Sequence, residues 1–530
     1  MEPMNHKVAL NALLEVFSQG VDPTWSGIDI AGVVMDSRQV RPGYLFVAAS
    51  GGTTDGHRYI PDALQRGAAA IVGEKDSARL SELELQVPYI QVPDSRLAVA
   101  CLSAGFYGFP ARQLTVIGVT GTDGKTTTSN LIYQILQRAG LRAGMISTVN
   151  AVIGEEILDT GFHVTTPDAP QIQSLLSRMV SQGISHAILE ATSHGLAQRR
   201  VACCDFDMGL ITNISHEHLD FHGNYESYRE AKGLLFESVE KTPRKAFSPP
   251  RAAVLNRDDP SFHYLSGITR AATLSYGVEA EADIRAQNVQ SDGEGMRFNV
   301  EGRDLDGEQI RFPVKCSLIG EFNLYNCLAA IALAGGVMKI ETESISEALS
   351  ALKPVPGRME RIEIGQDFFA IVDFAHTPNA LRGVLMACRA VTEKKVIAVI
   401  GSAGERDHLK RGMMAEVSSR YADLTVLTAE DPRRESLAVI LSEMASGASQ
   451  SGGVEGKTFW RIPDRREALR FAVSQAGAGD LVLTCGKGHE QSMCFGEQEY
   501  PWDDRVALRA AIAECLGIPG QQMPYLPAVG

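Results

Sequence analysis

Residues 114–140 constrain the fold of this chain more than any other stretch. The segment 115–119 is short, apolar and β-branched, which is typical of a buried parallel strand. A glycine-containing turn follows the strand, and apolar residues then recur at helical spacing up to Gly140, a typical helix stop. The sequence therefore predicts a strand, a tight loop and a helix, and hence an α/β fold.

The turn has the composition of a phosphate-binding loop. It consists of Gly121, Thr122, Asp123, Gly124, Lys125, Thr126 and Thr127. Backbone N–H groups and the helix N-terminus would face an anion, Lys125 would reach terminal phosphates, and the Thr126 hydroxyl could ligate Mg²⁺. Val119 stands where the longer P-loop pattern has its first glycine. A chance Gly-Lys-Thr in a surface turn is the alternative, but the flanking strand and helix favour phosphate binding.

The length of 530 residues favours three domains, which we predict at 1–112, 113–353 and 354–530. The net charge of −14 argues against a general nucleic-acid or membrane-surface binder. Nine cysteines lack C-x-x-C spacing, and no signal-peptide pattern or 18-residue apolar run occurs. We therefore expect a cytoplasmic protein with reduced thiols, no membrane insertion and no nucleic-acid partner.

In the predicted central unit, polar clusters follow two further apolar strands. One strand precedes Glu190, and the other precedes a block that contains His218. In open α/β sheets ligands bind beyond the carboxyl ends of strands, so both clusters should face the phosphate loop. Glu190 and His218 are candidate ligands of a phosphate-bound Mg²⁺ or of its waters. For His218 a capping or hydrogen-bonded core histidine is an equal alternative, and zinc is disfavoured because no thiolates accompany it.

The remaining units complete the predicted fold class. Residues 1–112 alternate strands and helices in a smaller α/β unit, and residues 283–316 indicate a small antiparallel insertion with a hairpin in the central unit. After the proline-rich segment 353–357, strands at 370–372, 396–400, 424–427 and 481–483 alternate with helices, which predicts a Rossmann-like C-terminal domain. The central unit is predicted to be a P-loop-type mononucleotide-binding domain.

With these residues in view, the chain resembles the Mur ligases over nearly its whole length. Within the family it is most similar to members that add the third peptide residue to UDP-N-acetylmuramoyl-L-alanyl-D-glutamate. The ordered motifs that carry the resemblance lie at 36–38, 121–126, 190–195, 212–223, 320–326, 357–360, 373–378, 404–407 and 486–490. Many motifs in the same order are far more specific than any one of them.

The resemblance implies roles for the matching positions. The uridine part of the substrate would lie against Met35, Ser37, Gly52, Thr53 and Thr54. The muramoyl-peptide part would contact Thr165, Thr166, Thr192, Gln198 and Arg200. ATP would bind the loop 121–127 together with Asn323, Arg358 and Asp373. Mg²⁺ would be held by Thr126, Glu190, His218 and Lys232, and Lys232 would be carbamylated to N6-carboxylysine. The incoming amino acid would be surrounded by Arg406, Glu430, Asp431, Pro432, Arg433, Gly486 and Glu490.

The activity that the resemblance implies is ATP-dependent amide formation through an acyl phosphate, in peptidoglycan precursor synthesis. The substrates would be ATP, UDP-N-acetylmuramoyl-dipeptide and a diamino acid, and a monomer is expected. A folylpolyglutamate synthetase-like ligase is one alternative, but it would not explain the N-terminal unit. A nucleotide-binding regulator without catalysis is another, and the retained Glu190, His218 and Lys232 disfavour it. From spacing alone, Lys232 would be a solvated helix residue.

The chain departs from the usual family pattern at several positions. Asp123 replaces asparagine, and 430–433 reads Glu-Asp-Pro-Arg where members carry Asp-Asn-Pro-Arg. An arginine such as Arg433 suits a second carboxylate, which favours meso-diaminopimelate over L-lysine or L-ornithine. Glu430 and Asp431 favour an ammonium instead. A surface ion pair of Arg433 with Glu430, Asp431 or Glu435 is the remaining alternative.

Overall fold

The computed structural model describes residues 6–17, 25–50, 55–76, 80, 85–158, 166–215, 217 and 219–527. It has three α/β domains, as the sequence predicts. The domain limits at 112/113 and 353/354 stay predictions. None of the helices within these residues has both the length and the apolar character that a membrane crossing requires.

The N-terminal domain is built on a parallel sheet with the strand order β3-β4-β5-β6. Its strands are β1 Val8–Ala9, β2 Asp29–Ile30, β3 Gly32–Val34, β4 Tyr44–Ala48, β5 Ala70–Gly73 and β6 Tyr89–Gln91. Its helices are α1 Leu10–Leu14, α2 Ile60–Gln65 and α3 Ser95–Phe106. Apolar clusters cover both faces of the sheet, as a parallel sheet requires.

The central domain contains a mixed sheet in the order β10-β9-β8-β11-β7-β12-β13-β14-β15-β16-β17. Its strands are β7 Thr115–Thr120, β8 Ala143–Ile146, β9 Ala151–Ile153, β10 Glu156–Leu158, β11 His186–Glu190, β12 Met208–Ile211, β13 Ala252–Asn256, β14 Ala272–Gly277, β15 Ile284–Asp292, β16 Gly295–Arg303 and β17 Gln309–Cys316. Its helices are α4 Lys125–Arg138, α5 Ala169–Ser181, α6 Ser193–Ala197, α7 Leu219–His222, α8 Tyr225–Lys241, α9 Phe262–Ile268, α10 Glu321–Ile331, the π-helix Ala332–Val337 and α11 Thr342–Ser350.

The position of β7 explains why this strand organises the domain. All of its residues are buried, and it pairs in parallel with β11 on one side and β12 on the other. Glu190 at the end of β11 and the block after β12 therefore adjoin the phosphate loop, which confirms the sequence prediction. The predicted hairpin is also present, as β15–β16, but with β17 it extends the edge of the central sheet rather than forming a separate unit.

The C-terminal domain has a sheet in the order β18-β19-β23-β20-β21-β22, parallel from β19 to β22. Its strands are β18 Glu360–Arg361, β19 Phe369–Asp373, β20 Val396–Ile400, β21 Leu424–Leu427, β22 Phe459–Arg461, β23 Leu481–Cys485, β24 Ser492–Phe495 and β25 Gln498–Pro501. Its helices are α12 Pro378–Val391, α13 His408–Tyr421, α14 Leu437–Gln450, α15 Arg465–Ser474 and α16 Asp504–Leu516. The parallel strands and intervening helices confirm the Rossmann-like prediction.

Candidate active site

The phosphate loop joins β7 to α4, and its glycines are required by close contacts. Gly121 and Gly124 have φ values of 146° and 84°, which L side chains rarely adopt. A Cβ on Gly121 would lie 1.8 Å from Thr212 Oγ1, and one on Gly124 would lie 2.3 Å from Asn326 Oδ1. Both positions must therefore be glycine for the loop to pass so close to these side chains.

Side chains that follow β12 fix the loop in place. Asn213 Oδ1 accepts the Asp123 N–H at 3.0 Å, and the Thr212 hydroxyl donates to the Asp123 carbonyl at 2.6 Å. The Thr122 hydroxyl accepts the N–H of Ser215 at 2.9 Å and lies 3.1 Å from the Tyr228 hydroxyl. These bonds hold the loop in one orientation, as electrostatic preorganisation requires.

Two lysine amines meet at the carbonyl of Gly121. Lys125 Nζ donates to the carbonyls of Gly121 and Thr122 at 3.0 and 2.7 Å, and Lys232 Nζ donates to Gly121 at 2.6 Å. Lys232 is buried on α8, with its amine 4.5 Å from the centre of the Tyr228 ring. Burial and the neighbouring charge of Lys125 lower the Lys232 pKa well below its usual value. A solvated helix residue, the alternative from spacing alone, is therefore excluded.

Glu190 lies beside the first turn of α4. Its Oε2 accepts the hydroxyls of Thr126 at 3.2 Å and Thr148 at 2.8 Å, and burial raises the pKa of its carboxyl. Its Oε1 is buried and has no hydrogen-bond partner among the described residues. An orphaned carboxylate oxygen next to a threonine hydroxyl is an oxygen donor set of the kind that Mg²⁺ takes at phosphate sites. These residues therefore fit the ion.

Residues of the C-terminal domain reach the same loop. Arg358 donates to the Thr126 hydroxyl at 3.1 Å and stacks on Phe374, 4.5 Å from the ring centre. Asp373 accepts the N–H groups of Met359 and Ala375 at 2.8 and 2.7 Å and so holds the turn that carries Arg358. The phosphate loop is therefore shared between the central and C-terminal domains.

Asn323 reaches the loop indirectly, through the first turns of α10. Its Oδ1 accepts the Asn326 amide at 3.0 Å, and Asn326 in turn accepts the Thr128 hydroxyl at 3.2 Å. Asn323 itself donates to the Ile319 carbonyl at 2.9 Å. The predicted nucleotide residues thus form a connected hydrogen-bond network around α4.

Four of the residues predicted for the muramoyl-peptide form a cluster next to Glu190, namely Thr166, Thr192, Gln198 and Arg200. The hydroxyls of Thr166 and Thr192 lie 2.9 Å apart, and Thr166 donates to the Glu190 carbonyl at 3.0 Å. Arg200 donates to the Thr166 carbonyl at 2.8 Å and to the Gln198 side chain at 2.7 Å. The cluster adjoins the end of β11, where the phosphate loop also lies.

Met35 and Ser37, two of the predicted uridine residues, follow β3 in the N-terminal domain. Ser37 is buried, and its hydroxyl lowers the pKa of Asp62, whereas Met35 is exposed. The Asp36 charge raises the pKa of Asp168, although burial of Asp168 is the larger cause. Ala169 of the central domain joins the apolar cluster of the N-terminal sheet, so the two domains are in contact there.

The predicted amino-acid residues lie at the carboxyl ends of β20, β21 and β23. Glu430 is buried, and a Cβ on Gly486 would lie 2.0 Å from its Oε2, which has no hydrogen-bond partner in the described part of the chain. Asp431 binds Lys487, while Arg406 is exposed on the loop before α13. The structure thus gathers Glu430, Asp431, Gly486 and Glu490 but leaves Arg406 at the rim.

Arg433 does not form the surface ion pair that the sequence left open. Its guanidinium makes no salt bridge with any carboxylate of the described residues, although it is half-buried. Glu435 instead pairs with Arg411 at 2.7 Å, and Asp431 pairs with Lys487 at 2.8 Å. The positive charge of Arg433 is therefore available to a ligand.

Some predicted residues lie outside the described residues, namely Gly52, Thr53, Thr54, Thr165 and His218. Within the described residues, no group of three or more His, Cys, Asp or Glu side chains could hold a metal ion. The metal-ligand prediction for His218 therefore stays a prediction.

Sequence reasoning missed several residues that the structure brings to the site. Thr148 follows β8 and binds Glu190, Tyr228 lines Lys232, and Asn326 contacts the phosphate loop. Thr148 and Tyr228 have no local signal, because long-range packing brings them to the site, whereas Asn326 lies in the motif 320–326. Lys487 lies inside a glycine-rich loop that the sequence did single out, so its isolated charge between glycines could have marked it.

Comparisons with known proteins agree with this arrangement. The model "Mur ligase family, catalytic domain" matches residues 29–107, "Mur ligase middle domain" matches 119–334, and "Mur ligase, glutamate ligase domain" matches 357–488. A Roseiflexus sp. (strain RS-1) protein named UDP-N-acetylmuramyl-tripeptide synthetase is 44% identical over 92% of this chain and 95% of its own. A Geobacillus thermodenitrificans protein named UDP-N-acetylmuramoyl-L-alanyl-D-glutamate--2,6-diaminopimelate ligase is 42% identical, with the same coverage.

Solved structures are similar over the full chain as well. A structure named UDP-N-acetylmuramoyl-L-alanyl-D-glutamate--2,6-diaminopimelate ligase has a TM-score of 0.65 and 30% identity, covering 96% of this chain and 99% of its own. MurF from Acinetobacter baumannii, at 18% identity and a TM-score of 0.63, shares the fold, covering 91% of this chain and 96% of its own.

The three α/β domains and the shared phosphate loop define an ATP-dependent ligase. The sequence match extends through all three of these domains. The chain belongs to the Mur ligase family.

Proposed function

We propose that this ligase joins meso-diaminopimelate to UDP-N-acetylmuramoyl-L-alanyl-D-glutamate. The observation that carries the proposal is the Thr126 hydroxyl, which donates to Glu190 and accepts from Arg358 of the C-terminal domain. A phosphate bound there would be enclosed by two domains, next to the cluster of Thr166, Thr192 and Arg200. Relatives 37–42% identical are named as ligases of this dipeptide and diaminopimelate.

In the proposed reaction the chain mainly positions and neutralises its substrates. The D-glutamate carboxylate attacks the γ-phosphorus of ATP, the bond to ADP breaks, and an acyl phosphate forms. The diaminopimelate amine then attacks the acyl carbon, and phosphate leaves. Lys125 and the N–H groups at the start of α4 would stabilise the charge on the transferring phosphoryl group, and Arg358 would orient it.

A bound Mg²⁺ would neutralise phosphate charge, and the residues proposed to hold it are Thr126, Glu190, His218 and Lys232 as its carbamate. Support for the modification comes from the burial and lowered pKa of Lys232. A neutral amine is the form that adds carbon dioxide, and the product is an anion able to ligate a cation. Tyr228 packs against the amine and limits its motion.

Arg433 supports the choice of amino acid. Its guanidinium has no ion pair among the described residues and could bind the distal carboxylate of diaminopimelate in bidentate fashion. Lysine or ornithine would bring an ammonium toward the same cation, which is unfavourable. The proposed roles of Gly486, Glu490, Pro432 and Arg406 are to enclose the amino acid around this contact.

The N-terminal domain is proposed to hold the uridine part, through Met35, Ser37 and the turn 52–54. A monomer is the proposed form, because Arg358 of the C-terminal domain reaches the phosphate loop of its own chain. The reaction is assigned to the cytoplasm because ATP is available there.

The proposal is tested by ADP release in the presence of each substrate combination. We expect release to require the UDP-muramoyl-dipeptide together with an amino acid, and to be fastest with meso-diaminopimelate. Folate-type substrates replacing the dipeptide would support the folylpolyglutamate synthetase-like alternative. Nucleotide binding without any release would support the regulator. Faster release with lysine or ornithine would refute the assignment of the amino acid.

A further inference from the structure

Lys487 occupies a buried position behind the turn that carries Arg433. Its side chain is fully buried at the end of β23, and its Nζ lies 2.9 and 2.8 Å from the two carboxylate oxygens of Asp431. The same Nζ lies 2.5 Å from Glu490 Oε2. These two carboxylates raise the Lys487 pKa above its usual value even though burial opposes the charge, so the amine stays a cation.

The turn that carries Arg433 is conformationally demanding. Asp431 and Arg433 have φ values of 43° and 53°, in the left-handed region that non-glycine residues rarely adopt. The turn is tied to the β24–β25 hairpin at Cys494, whose N–H donates to Asp431 Oδ1 at 2.9 Å and whose carbonyl accepts the Arg433 N–H at 3.2 Å. These two hydrogen bonds to Cys494 fix the backbone from which Arg433 projects.

The ion pair between Asp431 and Lys487 also changes the charge around Arg433. Glu430 and Asp431 precede Arg433, and two carboxylates so close to a guanidinium would cancel its attraction for a substrate anion. The charge of Asp431 is neutralised by its ion pair with Lys487. Burial raises the pKa of Glu430, which favours the neutral form of that carboxyl. Arg433 then has no carboxylate partner among the described residues and can attract a substrate anion.

We propose that Lys487 is a positioning residue that sets the selectivity of this site for an amino acid with a second carboxylate. It does so by neutralising the charge of Asp431, which lies in the same strained turn as Arg433. The inference rests on the proposed function, since it concerns the amino-acid site of that ligase.

The test compares kcat/KM for meso-diaminopimelate and for L-lysine in four proteins: the parent, Lys487→Met, Asp431→Asn and the double variant. Lys487→Met leaves an unpaired anion beside Arg433, so the ratio of the two values should fall by at least about tenfold, mainly through a higher KM for diaminopimelate. Asp431→Asn removes the anion and should not lower the ratio. The double variant restores the parent charge and should return the ratio to within about threefold of the parent.

Lys245→Met is the matched control. Lys245 is also fully buried and pairs with Asp207 at 2.5 Å, but it lies in the central domain and bonds the carbonyls of Leu114 and Asp205. Its loss should lower the thermal unfolding temperature while leaving the ratio within about threefold of the parent, because it faces no substrate.

Several outcomes would overturn the inference. One is a folded Lys487→Met enzyme with the parent's ratio, and another is a double variant as unselective as Lys487→Met. If Lys487→Met does not fold, the other variants decide, because a lower ratio in Asp431→Asn contradicts the charge argument. If the parent prefers diaminopimelate and Lys487→Met does not change the ratio, only this inference is refuted and the proposed function stands. A parent that ligates neither amino acid refutes the proposed function and the inference with it.

Discussion

Two fully buried lysines occupy the two halves of the proposed active site, and their surroundings differ. Lys232, beside the phosphate loop, donates to a backbone carbonyl and faces the like charge of Lys125, and its pKa is lowered. Lys487, beside the amino-acid turn, contacts two carboxylates, and its pKa is raised. Burial is nearly the same, so the partners decide the charge.

The comparison separates a reactive amine from a fixed cation. A neutral amine at Lys232 can be modified, whereas a permanent charge at Lys487 can only hold its carboxylates. The predictions below test whether the phosphate-loop region works through adjustable charge and the amino-acid region through fixed charge.

The largest effect is expected from Lys125→Ala in the phosphate-loop region. Loss of the ammonium at the start of α4 removes neutralisation of the transferring phosphoryl group, so ligation should fall by about a thousandfold or more, roughly 4 kcal/mol in the barrier. The fold should persist, because Lys125 is only partly buried and its substitution removes only two hydrogen bonds, both to loop carbonyls. Steady-state ligation rates, together with circular dichroism, check this expectation. Activity within about threefold of the parent would show that Lys125 does not serve the phosphates.

The next effect concerns fixed charge in the amino-acid region, through Arg433→Ala. Losing a charge-assisted bidentate contact should lower kcat/KM for meso-diaminopimelate, through a loss of roughly 2–4 kcal/mol in transition-state stabilisation. The value of kcat/KM for L-lysine should stay unchanged. The measurement is kcat/KM for both amino acids and for L-ornithine. An equal loss for all three would mean that Arg433 supports the turn rather than recognising the substrate.

A matched control for this substitution is Arg434→Ala on the neighbouring residue. Arg434 is exposed and pairs with Glu497 at the surface. Surface pairs of this kind contribute little, so the kinetic constants should stay close to those of the parent.

The phosphate-loop region could be predicted from sequence because its signal is local. Gly121, Gly124, Lys125 and Thr126 lie within one turn, and the strand and helix around them follow from periodicity. Part of the sheet order could also be predicted from the sequence, since strands that end in polar clusters must meet at one edge. The contribution of Thr148 could not be predicted, because it depends on β8 pairing with β11, a long-range choice that no residue pattern specifies.

The amino-acid region was harder to predict because its charges are paired across distant loops. The sequence allowed Arg433 to pair with Glu430, Asp431 or Glu435, which are its nearest carboxylates. The fold instead brings Lys487 to Asp431 and Arg411 to Glu435. Neighbours in sequence were poor guides here, because α13 and the loop after β23 supply the partners.

A smaller effect is expected from the modification of Lys232. Enzyme stripped of carbon dioxide should be about tenfold less active and should recover when bicarbonate is added, because the carbamate supplies an anion to the metal site. Carbon-13 NMR after equilibration with labelled bicarbonate should show one carbamate signal, which Lys232→Met abolishes and Lys245→Met retains. A fully active parent without that signal would remove this claim.

The smallest effect is the pH dependence of stability, which contrasts the two lysines directly. The Lys232 pKa lies well below its unfolded value of 10.5, so between these two values the unfolded chain binds more protons than the folded protein. The free energy of unfolding contributed by Lys232 therefore rises with pH in that window.

The Lys487 pKa lies above 10.5, so Lys487 is protonated in both states over the same range and adds no pH dependence to the free energy of unfolding. In bicarbonate-free buffer, the parent and Lys487→Met should both gain roughly 1 kcal/mol more than Lys232→Met between about pH 9 and about pH 10, just below the unfolded pKa, as measured by urea unfolding. Equal slopes in all three proteins would mean that Lys232 is already charged when folded, and the distinction between an adjustable and a fixed lysine would fail.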